Sequence, residues 1–189
     1  MIYLTRRATF SASHYYWNDD WTAEKNEQVF GRCSNRNGHG HNYTLEVTVA
    51  GEPDPVTGFV VDLKWLKDVI EREVLAAWDH RHLNLEVEEF AEGKLIPTTE
   101  NIAIAAWKRL EPAVTAAGQP AEKGRTESES LEKPPSGAKA TVDSEGLTAR
   151  LKSCPDTKPS FSVACGGAKL SRVRVYETPE IFAEYRGEL

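Results

Sequence analysis

The sequence predicts an α+β domain in which one antiparallel sheet is covered on its apolar face by two helices. Three observations predict it. Two stretches near the start alternate apolar and polar residues with a period of two, the mark of half-buried strands. Two later stretches space their apolar residues by three or four, the helical period. The strand pattern then returns near the end, so the order is strand–strand–helix–helix–strand–strand.

Taken in order, the first strand runs from Ile2 to His14. Its even positions Ile2, Leu4, Ala8, Phe10 and Ala12 form the more apolar face, and His14 continues that parity. Tyr15 to Gln28 is a loop rich in aromatics and charge, with Tyr15, Tyr16, Trp17 and Trp21, and is expected to cover the sheet rather than fold over a metal. A Gly/Asn/Ser-rich loop through Cys33 leads into the second strand. There His39, His41, Tyr43, Leu45, Val47 and Val49 share one side, while Asn42, Thr44, Glu46 and Thr48 share the other.

Pro53, Asp54, Pro55 and Gly58 turn the chain. Asp62 can cap a first helix whose apolar positions are Leu63, Leu66, Ile70, Val74 and Trp78. That helix ends in Asp79-His80-Arg81-His82-Leu83-Asn84. Thr98 or Thr99 can cap the second helix, which carries Ile102, Ala106, Leu110 and Val114, and Glu100 in its first turn complements the dipole.

From about Thr115 to Gly167, Pro, Gly, Ser, Glu and Lys dominate and large apolar residues thin out. This reads as a long flexible insertion within a single domain spanning 1–189. Leu170 to Tyr176 is again a strand, with Val173, Val175 and Glu177 on one face. Thr178-Pro179-Glu180 turns the chain into a last strand, Ile181 to Arg186.

Composition narrows the function. With 189 residues and 40% hydrophobic content the chain can bury a substantial core. A net charge of −6 argues against nucleic acid or an anionic membrane as the main partner. No charged-then-apolar leader and no apolar run of membrane-spanning length is present, so a cytoplasmic location is expected. Cys33, Cys154 and Cys165 lack C-x-x-C spacing and suit reduced thiols better than a disulfide framework.

The chemistry gathers around Cys33, His39 and His41. If the first two strands pair antiparallel, the end of one lies beside the start of the other, and His14 meets His39 and His41 on one face. A lone H-x-H is common, but three in-phase imidazoles form a catalytic zinc set with a fourth position open for water or substrate. Asp79 beside His80 suits acid–base work, because a carboxylate can orient an imidazole; from the dipeptide alone, helix-terminating polar residues are the better explanation. Glu177 on an apolar face is costly unless paired. It lies either in water at the strand end or as an anchor for a ligand with adjacent N–H donors.

These residues fall into motifs that resemble the 6-pyruvoyl-tetrahydropterin synthase and 6-carboxy-tetrahydropterin synthase family. They are Phe10-Ser11-Ala12-Ser13-His14, Phe30-Gly31-Arg32-Cys33, Asn37-Gly38-His39-Gly40-His41-Asn42-Tyr43, Asp79-His80-Arg81-His82-Leu83-Asn84, Pro97-Thr98-Thr99-Glu100-Asn101 and Val175-Tyr176-Glu177-Thr178-Pro179. They occur in family order across the chain outside the insertion. The resemblance implies the T-fold, with trimers closing their sheets into a barrel and two trimers stacking into a hexamer.

It also implies that His14, His39 and His41 hold Zn2+, that Cys33 is the proton-abstracting base, and that Asp79 with His80 forms a relay, which can serve Cys33 of a neighbouring chain. Glu177 would anchor the pterin, with Thr99 and Glu100 nearby. The implied substrate is 7,8-dihydroneopterin triphosphate, converted to 6-pyruvoyl-tetrahydropterin with loss of triphosphate. The sister branch makes 6-carboxy-tetrahydropterin, releasing acetaldehyde on the route to queuosine-type deazapurines. The six-residue step from Cys33 to His39, and Asn42-Tyr43 after His41, resemble the pyruvoyl branch. A non-catalytic zinc-binding oligomer, with Cys33 as a fourth ligand, is the alternative of another class. Asp79, His80 and Glu177 argue against it.

Overall fold

The computed structural model describes residues 1–118 and 167–187. They belong to one unit made of Met1–Pro120 and Val163–Leu189. Strand β1 (Ile2–His14) is followed by helix α1 (Ala23–Phe30), a 3-10 turn over Gly31–Ser34, and strand β2 (His39–Gly51). Helix α2 (Leu63–Ile70) continues through a π-helical stretch, Glu71–Leu75, into the short helix α3 (Ala76–Trp78). Then come strand β3 (Arg81–His82), helix α4 (Leu83–Glu86), the long helix α5 (Thr99–Gly118) and strands β4 (Lys169–Tyr176) and β5 (Phe182–Tyr185).

The sheet order is β3-β1-β2-β4-β5. The β1–β2, β2–β4 and β4–β5 pairs are antiparallel. The expected antiparallel sheet gains one edge strand: β3 joins β1 in parallel through Ala12↔Arg81 and Ser13↔His82. Two residues give no readable period, which is why the sequence pattern did not contain it. Part of the expected Tyr15–Gln28 loop is helix α1, with Thr22 as its cap.

One face of the sheet is the core. Phe10, Tyr43, Leu45, Val47, Val49, Val173 and Val175 are buried, as are Leu66, Ile70, Val74, Trp78, Ile102, Ala106, Leu110 and Val114 from the helices. Leu63, the first apolar position of α2, is exposed. The buried positions 66, 70, 74 and 78 step by four, which on an α-helix drifts by about 40° each time. A wider π turn takes up that drift and keeps Val74 and Trp78 facing inward.

The caps are as the residue types demand. Trp65 N–H donates to Asp62 Oδ1 at 2.7 Å, and Asn101 N–H donates to Thr98 Oγ1 at 3.4 Å, so Thr98 rather than Thr99 caps α5. That helix runs to Gly118, past Thr115, where the composition shifts. Residues 119–166 of the expected insertion, with Cys154 and Cys165, lie outside the described residues.

Candidate metal and active site

The β1–β2 register sets His14 opposite His39 and Ala12 opposite His41. Period-two alternation then sends all three imidazoles to one face. Their ring centroids lie 4.7 Å (His14–His39), 5.2 Å (His14–His41) and 4.9 Å (His39–His41) apart. Gly38 makes the turn before His39 possible: its φ is +73°, and a Cβ there would lie 2.8 Å from His82 Nε2 and 3.0 Å from the His14 carbonyl oxygen.

One ligand atom each from His14, His39, His41 and Glu177 falls within 4.8 Å of the others. His14 is fully buried, and its Nδ1 lies 2.8 Å from the Pro97 carbonyl oxygen. A carbonyl can only accept, so Nδ1 carries the proton and Nε2 presents a lone pair to the cluster. Glu177 Oε1 is 3.4 Å from His14 Nε2 and 3.0 Å from His41 Nε2. Neither nitrogen makes a directed hydrogen bond, although both are buried.

Burial, followed by the neighbouring histidines, holds His39 below the ordinary imidazole range; burial does the same for His41, against Glu177. Neutral imidazoles are the form that binds metal. Contact with His14, opposed by burial and aided by the Thr99 hydroxyl and His41, holds the Glu177 carboxyl down at about 2. Three convergent imidazoles, with the buried Nε2 atoms of His14 and His41 lacking hydrogen-bond partners and the Glu177 carboxylate beside them, fit zinc.

Cys33 stands beside this set. The turn after α1 puts its Sγ 3.9 Å from His39 Nε2, and burial together with the Glu177 carboxylate pushes the thiol up from its ordinary value. Thr99 is buried and its hydroxyl donates to Glu177 Oε2 at 2.5 Å, while Glu100 beside it is exposed. Glu177 therefore sits inside the histidine cluster, a placement the sequence pattern indicated only as a carboxylate needing a partner.

The sequence pattern favours cover of the sheet for the Tyr16 loop over folding across the metal. The Tyr16 ring meets His14 edge-on at 5.0 Å, and the Tyr16 backbone N–H donates to the Cys33 carbonyl at 2.7 Å. Its phenol is pushed up by burial first and then by Glu177, Cys33 and Glu100, with the Thr99 hydroxyl acting the other way.

Asp79 and His80 are brought to each other but not to Cys33 of the same chain. His80 Nδ1 lies 3.0 Å from Asp79 Oδ1, and both residues hold Ser11: its N–H donates to Asp79 Oδ1 at 2.8 Å, and the His80 N–H donates to its carbonyl at 2.6 Å. The Ser11 N–H is the main reason the Asp79 carboxyl is lowered. His80 has φ +58°, and its side chain is 81% exposed. It lines an open depression of about 470 Å³ with Ser11, Ser13, Asn42, His82 and Glu86.

Residues 3–141 match the family model described as 6-pyruvoyl tetrahydropterin synthase. The chain belongs to that family. It is 44% identical over 108 residues to the human 6-pyruvoyl tetrahydrobiopterin synthase, covering 57% of this chain and 73% of the human one. The 6-carboxy-5,6,7,8-tetrahydropterin synthase of Rickettsia typhi is 30% identical over 125 residues, covering 59% of this chain and 82% of its own. The structure of Caenorhabditis elegans 6-pyruvoyl tetrahydropterin synthase superposes with a TM-score of 0.66 at 27% identity, over 99% of this chain and 96% of that one. The α+β architecture is the T-fold of this family.

Proposed function

We propose that the chain is a lyase that takes 7,8-dihydroneopterin triphosphate to 6-pyruvoyl-tetrahydropterin with loss of triphosphate. The observation that carries this reading is the convergence of His14, His39, His41 and Glu177 beside Cys33, in a chain 44% identical to the human synthase. The lower identity to the 6-carboxy relative, 30%, favours the pyruvoyl branch.

Zinc held by His14, His39 and His41 would supply a Lewis acid for the oxygens of the substrate side chain, lowering the cost of removing the adjacent C–H protons. Cys33, placed beside the histidine set, removes those protons. The protons return to the ring, so the side chain is oxidised as the ring is reduced and no external electron carrier is needed. Glu177 turns its carboxylate to the amide and amino N–H groups of the pterin, steadied by Thr99, with Glu100 at the rim.

Among the described residues Asp79 and His80 make no hydrogen bond or ion pair with Cys33 of their own chain, which supports the proposal that they serve Cys33 of a neighbour in a hexamer of two trimers. Bonds to both sides of Ser11 hold the pair, and the positive φ of His80 is an uncommon conformation of the kind kept at working sites. A cytoplasmic location suits the reading; no helix among the described residues is long and apolar enough to cross a membrane.

The test is incubation of the zinc-loaded protein with dihydroneopterin triphosphate, with the pterin product identified by mass. A 6-pyruvoyl product with free triphosphate supports the proposal, and a 6-carboxy product with acetaldehyde moves the chain to the sister branch. No turnover with zinc bound by Cys33 as well as the three histidines would favour the non-catalytic oligomer.

A further inference from the structure

We propose that Tyr16 contacts the substrate: its phenol O–H donates a hydrogen bond to the ring oxygen of the pterin, beside the N–H groups taken by Glu177. The inference rests on the pterin reading above and deepens it.

The backbone of Tyr16 is held where the chain leaves the sheet. Asn84 grips Tyr15 from both sides, accepting its N–H at 2.9 Å and donating to its carbonyl at 3.1 Å. The next N–H, of Tyr16 itself, donates to the Cys33 carbonyl at 2.7 Å. One residue thus ties the end of the His14 strand to the Cys33 turn. Its ring stands edge-on to His14 at 5.0 Å and to Phe30 at 5.9 Å, so it forms a wall of the site.

That wall adjoins the carboxylate: His14, against the Tyr16 ring, has its Nε2 3.4 Å from Glu177 Oε1, and Thr99 donates to Glu177 Oε2; Glu177, Cys33, Glu100 and Thr99 all act on the phenol. The Thr99 hydroxyl hydrogen is engaged by Glu177 Oε2 at 2.5 Å, so Thr99 can only accept from Tyr16. A phenol near neutrality is an un-ionised donor. Thr99 acts on the phenol, and a ligand acceptor entering beside Glu177 would compete for the phenol hydrogen. The chemistry of a pterin edge fits this pairing. Its amide and amino N–H groups suit the carboxylate, and the adjacent ring oxygen needs a donor, which neither Glu177 nor Glu100 supplies when ionised.

Tyr16→Phe keeps the wall and removes only the donor. The probe is neopterin, a fluorescent pterin without phosphates, titrated against the zinc-loaded protein. We expect about three- to tenfold weaker binding by the variant, the size of one neutral hydrogen bond, with zinc content and thermal unfolding unchanged. A second probe, 2-aminopteridine, lacks the ring oxygen and should bind both proteins equally. Equal neopterin affinity in both proteins overturns the inference alone. The same loss for both probes makes Tyr16 a packing residue and overturns it as well. If the wild type binds no pterin, the functional reading fails and takes this inference with it.

Discussion

His14 Nδ1 and the Pro97 carbonyl oxygen lie 2.8 Å apart across 83 positions of chain. The bond orients a buried imidazole so that Nε2 faces His39, His41 and Glu177. The Pro97 segment is itself held: Asn101 Nδ2 donates to the Ile96 carbonyl at 2.8 Å, from the first turn of α5. The tautomer of a β1 residue is therefore set by the entry to a helix.

Zinc should depend on all three histidines. His39→Ala and His14→Ala are each expected to lose bound zinc and turnover together while remaining folded. His39→Ala is the cleaner variant, because His14→Ala also strands the Pro97 carbonyl and the Tyr43 hydroxyl, 3.2 Å from Nδ1, at a cost of about 1–3 kcal/mol. Elemental analysis beside thermal unfolding checks this. Full zinc occupancy in both variants would remove the three-histidine assignment.

Cys33→Ala should keep zinc and pterin affinity and lose roughly two to four orders of magnitude in turnover, the range for deleting a general acid or base. Turnover on the triphosphate substrate and zinc content are measured on the same preparation. Loss of zinc instead would make Cys33 a ligand.

The sequence carried the histidine set because strand alternation is a rigid code. Once β1 and β2 pair antiparallel, parity alone decides that His14, His39 and His41 share a face. It carried Glu177 half-way, since a carboxylate on the Val173–Val175 face had to be paired but its partner was not readable. Tyr16 was illegible because it belongs to a loop without period, where contacts depend on how distant elements meet. The π turn in α2 and the two-residue β3 are set by tertiary packing and leave no local pattern.

Acid should weaken the clamp between α5 and the segment before Pro97. Arg109 donates two bonds to Glu89, at 2.5 and 2.9 Å, and a third to the Glu73 carbonyl in the π turn at 3.1 Å. The Arg109 bond is the first cause holding the Glu89 carboxyl below its ordinary value. A group lowered in the folded state stabilises above its unfolded pKa, near 4.3, and loses that contribution as pH falls through the folded value. Glu89→Gln should cost about 1 kcal/mol at neutral pH, given that both side chains remain partly exposed. Urea midpoints at pH 7 and pH 3 check this: the gap between wild type and variant should close in acid. A gap of the same size at both pH values would show that the ion pair is not its source.

Charge offers the last test. The chain carries −6, so a triphosphate tail needs a local cation to offset the overall field. Four basic side chains lie near the Cys33 loop or the Asp79–His80 pair, and three have other contacts. Arg36 pairs with Glu92 at 3.0 Å and lies over the Trp17 ring, Arg81 pairs with Glu86 at 2.8 Å, and Lys25 lies over Trp21. Arg32, exposed and next to Cys33, makes no side-chain ion pair among the described residues. A guanidinium without a carboxylate partner is open to take two phosphate oxygens in a plane. Arg32→Gln is expected to raise the KM for dihydroneopterin triphosphate about tenfold or more, and to leave neopterin affinity unchanged. Arg36→Gln and Arg81→Gln should have smaller effects, since each arginine must first leave a carboxylate. Steady-state kinetics on the triphosphate, beside neopterin titration, separates tail from ring recognition. An unchanged KM in Arg32→Gln, or an equal loss for both ligands, would take the tail away from Arg32.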